Sequence, residues 1–319
     1  MMFWTILLLG WKCGQFCDTD AHLKNVRTQL GWNARDSFLC CQQMWNYFTR
    51  NVGLFKGEKG PRALHKHMRD LLPLMLNSST SSRGRKLVMI DIGANIGQII
   101  PFYLSLLANQ ESELFLFEPN PSNFNKLVQF SHDKSDITAI QTAVSEQEGT
   151  AHFDFEHAKH PTNKQGNQHG HLSSSKGNYT FEVEVHRLDT LMEQRLSKDS
   201  EVLFLKSDTE GFDFNVMLGG TGVLNQTRLY LFECHKLQRL AGSTHKKTAV
   251  FLSRLGFDVY KLSPGQLVAF GDEFYNRVVD RKKFMGWQNC LAIHKEDPVH
   301  REMFSRLNTL DSCTWNAHE

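Results

Sequence analysis

The chain has 319 residues, of which 40% are hydrophobic and 22% charged, enough for one large α/β domain with an appended segment or for two small domains. With 36 basic and 34 acidic side chains, the formal net charge is +2, so there is no electrostatic reason to expect nucleic acid as a partner. The sequence contains no block of like charge and no repeat of fixed period, which argues against a charged tail and a repeat protein.

Residues 1–17 begin with an apolar run of ten residues from Met2 to Trp11. A helix needs ~20 apolar residues to cross a bilayer, so we expect no transmembrane span. The run has the length of a signal-peptide hydrophobic region, although no positive residues precede it, and a buried N-terminal segment is the alternative. Three N-glycosylation sequons favour the signal peptide and a location in the ER or Golgi lumen or outside the cell: Asn77, Asn178 and Asn225.

The chain contains seven cysteines: Cys13, Cys17, Cys40, Cys41, Cys234, Cys290 and Cys313. An odd number cannot pair fully within one chain unless processing removes one, so we expect disulfides whose connectivity the sequence leaves open. Cys13 and Cys17 have no second pair at the spacing of a zinc site, and we predict no metal site.

Residues 18–85 are expected to form a helical extension followed by a joint. Apolar residues recur at spacings of three and four in two segments, with a glycine-bearing break at 53–61 between them. Serine and other polar residues dominate 77–86, which we interpret as the domain boundary. The main domain is therefore expected at 86–297, with a C-terminal helix or tail at 298–319.

The stretch from Leu87 to Gln98 opens the predicted main domain. An apolar run with a single acid, Asp91, breaks into a glycine-bearing turn, and apolar residues at helical spacing follow over about 96–109. This order predicts a buried strand, a tight turn and a helix, which together begin an α/β nucleotide-binding unit. The glycines allow a ligand to approach the backbone, and the N-terminus of the helix is expected to offer free N–H donors.

Strands and helices alternate after this unit, as they do in a doubly wound α/β sheet. Apolar runs that end in polar residues predict four further parallel strands, at 113–119, 137–144, 202–208 and 229–233. Two late strands follow at 257–262 and 289–293. No clear crossover helix precedes the last one, so we expect it to be antiparallel in a mostly parallel sheet.

Two segments between the third and fourth strands, 150–156 and 180–185, alternate apolar and polar residues as the strands of a half-exposed hairpin do. The segment between them, 157–178, is rich in glycine, serine and polar residues. It also contains four histidines: His157, His160, His169 and His171. A flexible polar loop explains this composition better than a metal site does, and closure over a ligand would make the loop a lid.

Polar side chains stand at the carboxyl ends of four predicted strands. One acid at a strand end is common, but parallel strands bring their carboxyl ends to one edge of the sheet, where ligands bind. We therefore expect one polar pocket lined by residues from several strands: Asp91, Glu118, Asp208, Glu210, Glu233 and His235.

The turn and the second strand indicate which ligand fits. Glu118 follows Gly93 by 25 residues and ends the next strand, where a carboxylate can accept both hydroxyl protons of a ribose. Dinucleotide folds place glycine in the middle of the turn to admit a pyrophosphate, but here Asn95 stands there, and Asp91 adds a negative charge nearby. A cofactor with an adenosine and a cationic amino-acid end matches better, so we expect S-adenosylmethionine rather than NAD.

Five motifs, in this order and over about residues 86–295, resemble those of the FkbM-type methyltransferase family. They are Asp91 to Gln98, Phe117 to Pro121, Thr142 to Ser145 with Gly149, Leu188 to Leu191, and Leu205 to Gly211. The resemblance implies a class I, Rossmann-like methyltransferase fold, S-adenosylmethionine as the donor and usually O-methylation. Two features depart from the family pattern. The usual Glu-Gly-x-Glu reads Glu210-Gly-Phe-Asp213, which is one methylene shorter, and residues 1–85 match nothing in it.

The same resemblance implies roles for individual residues. The turn would bind the cofactor, mainly at its methionine end, through Asp91, Gly93, Ala94, Asn95 and Gly97. Glu118 would hold the ribose, and Ala143 and Val144 would lie near the adenine. Asp208 and Glu210 would lie between the cofactor and the acceptor.

Methyl transfer to an alcohol needs a general base, because a hydroxyl is a poor nucleophile until its proton is removed. Asp208 and Glu210 are the first candidates, and His235 is the alternative because histidine titrates near neutral pH. We expect the acceptor to be a hydroxyl of a glycan, a lipid or a small molecule. Two other interpretations stay open: a catalytically inactive methyltransferase-fold binding protein of the secretory pathway, and an NAD-dependent oxidoreductase.

Overall fold

The structure is a computed structural model that describes residues 71–78, 85–154, 171–173, 180–234, 236–239, 241–263, 266–269, 289–300 and 308–310. The apolar segment 1–17, most of the helical extension and most of the C-terminal segment 298–319 lie outside these residues. So does most of the histidine-rich loop. The predictions made for those segments stay predictions.

The described strands are numbered along the chain. They are β1 (Lys86–Ile92), β2 (Ser112–Phe117), β3 (Ile137–Ile140), β4 (Ala143–Val144), β5 (Gly149–Asp154), β6 (His171–Ser173), β7 (Thr180–His186), β8 (Ser200–Ser207), β9 (Thr227–Glu233), β10 (Phe257–Ser263), β11 (Gln266–Ala269), β12 (Asn289–His294) and β13 (Asn308–Leu310).

The described helices lie between these strands. They are α1 (Ile100–Leu107), α2 (Pro121–Ser131), α3 (Leu188–Met192), α4 (Asp213–Gly219), α5 (Thr221–Leu224) and α6 (His245–Arg254), with a 3₁₀ turn at Lys236–Arg239. Residues 71–77 are also helical.

Within the described part of the chain, the main sheet has the strand order β13-β11-β10-β12-β9-β8-β1-β2-β3. Strands β3, β2, β1, β8 and β9 run parallel, and β12 lies antiparallel between β9 and β10. This confirms the expected mostly parallel sheet with an antiparallel last strand near 289–293. Because β1 is flanked by β2 on one side and β8 on the other, the strand order reverses there, and a ligand crevice is expected at its carboxyl end.

The expected third strand, 137–144, is wrong as a single element. The strand β3 ends at Ile140, and Ala143 and Val144 pair instead with β7 in a second sheet of order β4-β7-β5-β6. The side chain of Thr142 stabilises the passage of the chain from the main sheet to the second sheet, because its hydroxyl donates to the carbonyl oxygen of Glu184 at 3.0 Å. The expected hairpin of 150–156 and 180–185 is present as β5 and β7. Residues 171–173 of the expected loop form the edge strand β6.

Both faces of the main sheet are covered, which explains why β1 is apolar at nearly every position. Val88, Ile90 and Ile92 pack into one core with residues of α3, α4, α5 and α6. Leu87 and Met89 pack into the opposite core with residues of α1, α2 and the helical segment 71–77. Asp91 continues the second of these two series along the strand, so its carboxylate lies on a face where apolar side chains are expected.

Arg228 joins the helical segment to the amino-terminal edge of the sheet. Its guanidinium donates to both carboxylate oxygens of Asp297, at 2.6 and 3.1 Å, and to Glu201 at 2.8 Å. It also donates to the carbonyl oxygen of Met75 at 3.1 Å and to the hydroxyl of Ser78 at 2.7 Å. A planar guanidinium can meet these acceptors together, which the single ammonium of lysine cannot do. The contact therefore fixes 71–78 on the sheet edge opposite the crevice.

Two further features concern the location of the protein. No helix in the described ranges is long and apolar enough to cross a bilayer. The side chains of Asn77 and Asn225, which begin two of the sequons, are exposed, whereas Asn178 lies outside the described residues.

Candidate active site

The turn after β1 is packed directly against the end of β8. Gly93 has φ +75°, and a Cβ added to it would overlap the carbonyl oxygen of Asp208. The two strands are also joined here by the N–H of Asp208, which donates to the carbonyl oxygen of Ile92 at 3.0 Å. Glycine is therefore required at position 93 both for the backbone conformation and for the contact between the two strands.

The N–H groups of the turn are used within the protein. Those of Gly93 and Ala94 donate to the carbonyl oxygen of Phe117 at 2.9 and 3.1 Å. The N–H of Asn95 donates to Glu118 at 2.8 Å, and that of Gly97 donates to the carbonyl oxygen of Ala94 at 3.0 Å. An anion-binding turn needs free N–H donors, and these four are occupied.

The expected helix start near residue 96, with free donors at its N-terminus, is wrong. The helix α1 begins at Ile100, and the N–H of Ile100 donates to the carbonyl oxygen of Gly97 at 3.1 Å. Pro101 has no N–H, and the N–H groups of Phe102 and Tyr103 both donate to the carbonyl oxygen of Ile99. The positive φ values of Asn95 and Gly97, 53° and 78°, keep these residues in a turn and delay the helix.

Glu118 lies beside this turn at the end of β2, and only 5% of it is exposed. One carboxylate oxygen accepts the N–H of Asn95 at 2.8 Å and the other accepts the N–H of Asn120 at 3.0 Å. Burial raises the pKa of Glu118 to about 7, and the hydrogen bonds from Asn120, Asn95 and the side chain of Asn123 oppose this rise. These three donors use three of the roughly four lone-pair positions of the carboxylate, so Glu118 can accept about one more donor.

A buried ion pair connects β1 to β8 just before the turn that follows β1. The Lys206 ammonium lies 2.9 Å from Asp91 Oδ1 and 3.6 Å from Asp208 Oδ2. Asp91 is 0% exposed and Lys206 is 6% exposed, whereas the side chain of Asp208 is 41% exposed. Burial raises the pKa of Asp91, and the positive charge of Lys206 opposes this rise. Burial by itself would lower the pKa of Lys206, but the negative charges of Asp91 and Asp208 have the larger effect, so the pKa of Lys206 is raised.

A second polar network joins β8, α4 and β9. The hydroxyl of Ser207 donates to Asp213 Oδ1 at 2.5 Å and lies 2.7 Å from the hydroxyl of Tyr230. The same Asp213 oxygen accepts the N–H of Glu233 at 3.3 Å. Burial raises the pKa of Asp213 to about 6, the Ser207 hydrogen bond opposes this rise, and the charge of Asp208 adds to it. Asp213 therefore ties the end of β9 to the end of β8 through its carboxylate.

The turn after β8 carries the remaining strand-end acid. Glu210 has φ 54°, a left-handed conformation that costs a residue other than glycine about 1 kcal/mol. The next residue, Gly211, has φ +101°, and a Cβ there would lie 2.6 Å from the main-chain carbonyl carbon of Leu237. The turn after β8 is thus pressed against the turn after β9. A strained non-glycine residue at a crevice is a feature of functional sites.

The structure brings most of the predicted site residues to one edge of the sheet. Asp91, Gly93, Ala94, Asn95, Gly97, Glu118, Asp208 and Glu210 all lie at the carboxyl ends of β1, β2 and β8. His235 lies outside the described residues. Ala143 and Val144 are buried, Ala143 with Val183 and Val185 in a small core and Val144 in the main one, so their contact with a ligand stays a prediction.

Three residues of the site had no role in the sequence analysis. Asp213 entered it only as a departure from the family motif, and its position in that motif was the available signal. Tyr103 looked like an ordinary core residue at helical spacing, but burial and then the Asp91 charge raise its pKa well above the ordinary value. Lys206 lies within the strand predicted at 202–208, where the pattern alone allows either an acid's partner or a sheet-edge side chain, and the 2.9 Å contact with Asp91 shows that it pairs with an acid.

An unpaired acceptor indicates which ligand group the turn tolerates. Asn95 Oδ1 is a buried atom with no hydrogen-bond partner among the described residues, and the N–H groups of Gly93, Ala94, Asn95 and Gly97 are occupied. The Asp91 carboxylate interacts instead with Lys206 and with the buried Tyr103 hydroxyl. A ligand group that carries donors, such as an ammonium or a hydroxyl, fits Asn95 Oδ1, and a pyrophosphate does not.

Comparison with known proteins gives a family for this arrangement. Residues 91–259 match the family model described as the methyltransferase FkbM domain. Hexuronic acid methyltransferase AglP of Haloferax volcanii is 26% identical over 181 residues, which are 55% of this chain and 66% of that protein. The match therefore spans slightly less than two thirds of the curated relative's length.

Two solved structures are also similar to the chain. The methyltransferase FkbM from Methylobacillus flagellatus is 14% identical with a TM-score of 0.45, covering 90% of this chain and 58% of that one. Aeropyrum pernix fibrillarin, solved with S-adenosyl-L-methionine, is 10% identical with a TM-score of 0.33, covering 66% of each chain.

Replacing Gly93 by alanine tests the contact between β1 and β8. Gly242 is the matched control, because its φ of +70° is close to the +75° of Gly93 but a Cβ there meets nothing within 4 Å. We expect Gly242→Ala to lower the free energy of unfolding by about 1 kcal/mol, the cost of the left-handed conformation. Gly93→Ala should cost at least about 3 kcal/mol, because the Asp208 carbonyl must also move. Chemical denaturation measures both, and equal losses would contradict the contact.

The raised pKa of Asp213 predicts how stability depends on pH. The folded state binds the proton more tightly than the unfolded chain, so unfolding free energy falls as pH rises from the ordinary value of 3.8 through about 6. In Asp213→Asn the side-chain oxygen still accepts from Ser207 and Glu233, and no charge is buried. This variant should be more stable than the wild type by up to about 3 kcal/mol at pH 8 and little different at pH 4. Denaturation at both pH values measures this, and a less stable variant at pH 8 would refute it.

Proposed function

The chain belongs to the FkbM methyltransferase family, and we propose that it transfers a methyl group from S-adenosylmethionine to a hydroxyl of a glycan. The observation that carries the cofactor assignment is the turn at 93–97, in which the N–H groups of Gly93, Ala94, Asn95 and Gly97 are occupied and Asn95 Oδ1 is an unpaired acceptor. S-adenosylmethionine has an ammonium, ribose hydroxyls and a sulfonium, and when bound it supplies an electrophilic methyl group. An NAD-dependent oxidoreductase is disfavoured, because a pyrophosphate would meet these four occupied N–H groups and an acceptor oxygen.

The residues that would hold the cofactor lie at the carboxyl ends of two neighbouring strands, β1 and β2. Asn95 would accept from the ammonium through Oδ1, and Gly93 and Ala94 would let the ligand approach the turn. Glu118 would accept a ribose hydroxyl with its remaining lone pair, because its carboxylate is already oriented by the N–H groups of Asn95 and Asn120 and by the side chain of Asn123. Asp91 is fully buried, and its part is to anchor Lys206 behind the turn.

In this proposal, Asp208 is the base that removes the proton from the acceptor hydroxyl. Its side chain is 41% exposed at the crevice, and the Lys206 ammonium lies 3.6 Å from it. Glu210 is the second candidate, since its left-handed conformation keeps it at the same turn. The protein's part in such a transfer is to position the hydroxyl against the methyl group and to accept its proton.

A glycan is the acceptor class that the curated relative supports, because that relative is described as a hexuronic acid methyltransferase. The identity of 26% makes this a proposal about the class of acceptor, a sugar hydroxyl. A lipid or small-molecule hydroxyl would require the same base and the same cofactor site.

We further propose that the protein acts in the secretory pathway or outside the cell. A disulfide joins Cys234, at the end of β9, to Cys290 of the neighbouring strand β12, and both residues are buried. Disulfides form in oxidising compartments. The exposed sequons Asn77 and Asn225 lie towards the edge of the sheet opposite the candidate active site, where a glycan would leave the crevice open.

Isothermal titration with S-adenosylhomocysteine tests the cofactor site. The wild type should bind, and Glu118→Ala should weaken binding at least tenfold, because each hydrogen bond to a carboxylate contributes roughly 1.5–3 kcal/mol. Glu182→Ala, an exposed glutamate on β7, is the control and should bind like the wild type. Affinity should rise about tenfold from pH 6 to pH 8, since Glu118 loses its proton at about 7 and the charged carboxylate is the stronger acceptor for a ribose hydroxyl. No binding by the wild type, or binding of NADH instead, would refute the proposal.

The same preparation separates an enzyme from an inactive binding protein. Methyl transfer from labelled S-adenosylmethionine to a glucuronate-terminated oligosaccharide or to a neutral oligosaccharide supports the enzyme. Binding of S-adenosylhomocysteine without transfer to glycan, lipid or small-molecule hydroxyls supports the catalytically inactive alternative.

Enzymatic removal of N-glycans tests the compartment. When the full chain is expressed in a eukaryotic cell, digestion should lower its apparent mass, and Asn225→Gln should remove one glycan because that sequon is exposed. Thr248→Ser, which alters no sequon, is the control. An unchanged mass after digestion would count against a secretory location.

A further inference from the structure

Glu233 ends β9 directly beside Asp208. The parallel register pairs Ser207 of β8 with Phe232 of β9, so the next residues, Asp208 and Glu233, leave the two strands side by side at the same edge. The position of Glu233 is fixed further by its N–H, which donates to Asp213 at 3.3 Å. The side chain of Glu233 is hydrogen-bonded to that of Asp208.

Several ionisable groups in the described residues face Glu233. Asp208 and Glu210 face it from the end of β8, Asp213 faces it from α4, and Lys206 is the cation among them. The Lys206 ammonium also lies 2.9 Å from Asp91, so one positive charge is close to several carboxylates. Burial, and then the charges of Asp208, Asp213 and Glu210, raise the pKa of Glu233 well above its ordinary value.

Asp213 holds the end of β9 against the end of β8. Asp213 is 2% exposed, its Oδ1 is hydrogen-bonded to Ser207 and to the N–H of Glu233, and the side chain of Thr209 also interacts with its carboxylate. The main chain of Glu233 is therefore fixed relative to the end of β8.

We propose that Asp208 and Glu233 form a carboxyl pair that holds one proton, in which Asp208 is the base towards the acceptor hydroxyl and Glu233 is the positioning residue that keeps Asp208 charged and oriented. This proposal rests on the proposed function. Two adjacent carboxylates are more stable with one shared proton than with none, because the proton removes their repulsion. The exposure of the Asp208 side chain, 41%, makes it the member of the pair that an acceptor reaches.

The proton balance of the step is simple. The O–H bond of the acceptor breaks and its proton passes to the Asp208 carboxylate, while the oxygen keeps the electron pair with which it attacks the methyl carbon. The pair then holds two protons, one on each carboxyl group. Asp208 returns its proton to solvent through its exposed face, and the original state is restored with one proton released for each methyl group transferred.

The hydrogen bond from Glu233 has a defined effect on Asp208. A hydrogen bond from Glu233 and the Lys206 ammonium, 3.6 Å away, both favour one orientation of the Asp208 carboxylate. Asp213 cannot replace Asp208 as the base, because it is 2% exposed and bound to Ser207. Glu118 cannot replace it either, because hydrogen bonds from two main-chain N–H groups hold its carboxylate at the end of β2.

Infrared difference spectroscopy tests the shared proton without an acceptor. At pH 8, subtraction of the spectrum of Glu233→Gln from that of the wild type should leave one band of a protonated carboxyl group. The band should shift in Asp208→Asn, because that variant replaces the carboxylate acceptor by an amide. Glu182→Gln, an exposed strand glutamate, should show only a carboxylate difference. A carboxylate difference for Glu233→Gln as well would overturn the proposal.

Turnover of a glucuronate-terminated oligosaccharide tests the catalytic part. Asp208→Asn should lower kcat about 10²- to 10³-fold, the range expected for loss of a general base, with little change in S-adenosylhomocysteine affinity. Glu233→Ala should lower kcat about 10- to 100-fold, the equivalent of one hydrogen bond to a charged group. Glu233→Gln keeps a donor and should recover most of that loss. It should also lack the pH dependence of kcat that ionisation of Glu233 is expected to give the wild type.

The results of these experiments distinguish failure of the proposed Asp208–Glu233 pair from failure of the proposed methyltransferase function. A wild type that binds no S-adenosylhomocysteine refutes the proposed function, whatever the spectra show. A wild type that binds the cofactor and transfers methyl groups, while Glu233→Ala has wild-type kcat or Glu233→Gln is as impaired as Glu233→Ala, refutes only the pair. If the oligosaccharide is not methylated, the infrared difference still decides whether the proton is held at Glu233.

Discussion

The close approach of β1 and β8 is the contact on which the other features of this edge depend. Gly93 lies so near the carbonyl oxygen of Asp208 that a side chain cannot fit between them, and the Lys206 ammonium joins Asp91 to Asp208 across the same two strands. The pair is buried, so removing one partner would leave an uncompensated charge at a cost of about 3–5 kcal/mol. This combination of a steric requirement and a charge requirement allows the strand-end acids to be held together.

The polar groups at this edge fall into two sets with different surroundings. The first set consists of Glu118 and the turn that follows β1. Here four main-chain N–H groups of the turn donate hydrogen bonds within the protein, and side-chain oxygens remain as acceptors for a ligand that carries donors. The ends of β8 and β9 form a second set, in which Lys206 lies close to Asp91 and Asp208, and burial raises the pKa of Asp213 and of Glu233. A cofactor site beside a proton-accepting site is what transfer of a methyl group to a hydroxyl requires.

The opposite edge of the sheet serves a different purpose. Arg228 binds Asp297, Glu201 and the helical segment at 71–78, so the segment before the main domain is attached where it does not cover the crevice. The exposed sequon residues Asn77 and Asn225 lie near this contact in the chain. The disulfide between Cys234 and Cys290 instead fastens β12 to the end of β9, next to the acids, and would help to hold Glu233 in place.

Much of this could be predicted from the sequence because local patterns carry it. The apolar run 87–92, the glycine turn and the motifs that resemble the FkbM family predicted the sheet, the antiparallel strand near 289–293 and the family itself. Strand-end acids could be placed at one edge because parallel strands share their direction. The break after Ile140, the late start of α1 and the pairing of Cys234 with Cys290 depend on contacts between residues far apart in the chain. For the same reason, only the tertiary structure decided that the turn amides are occupied, that Lys206 neutralises Asp91, and that Glu233 lies against Asp208. A sequence specifies which groups are available, but hydrogen bonding and burial decide which of them keep a charge, a proton or a free lone pair.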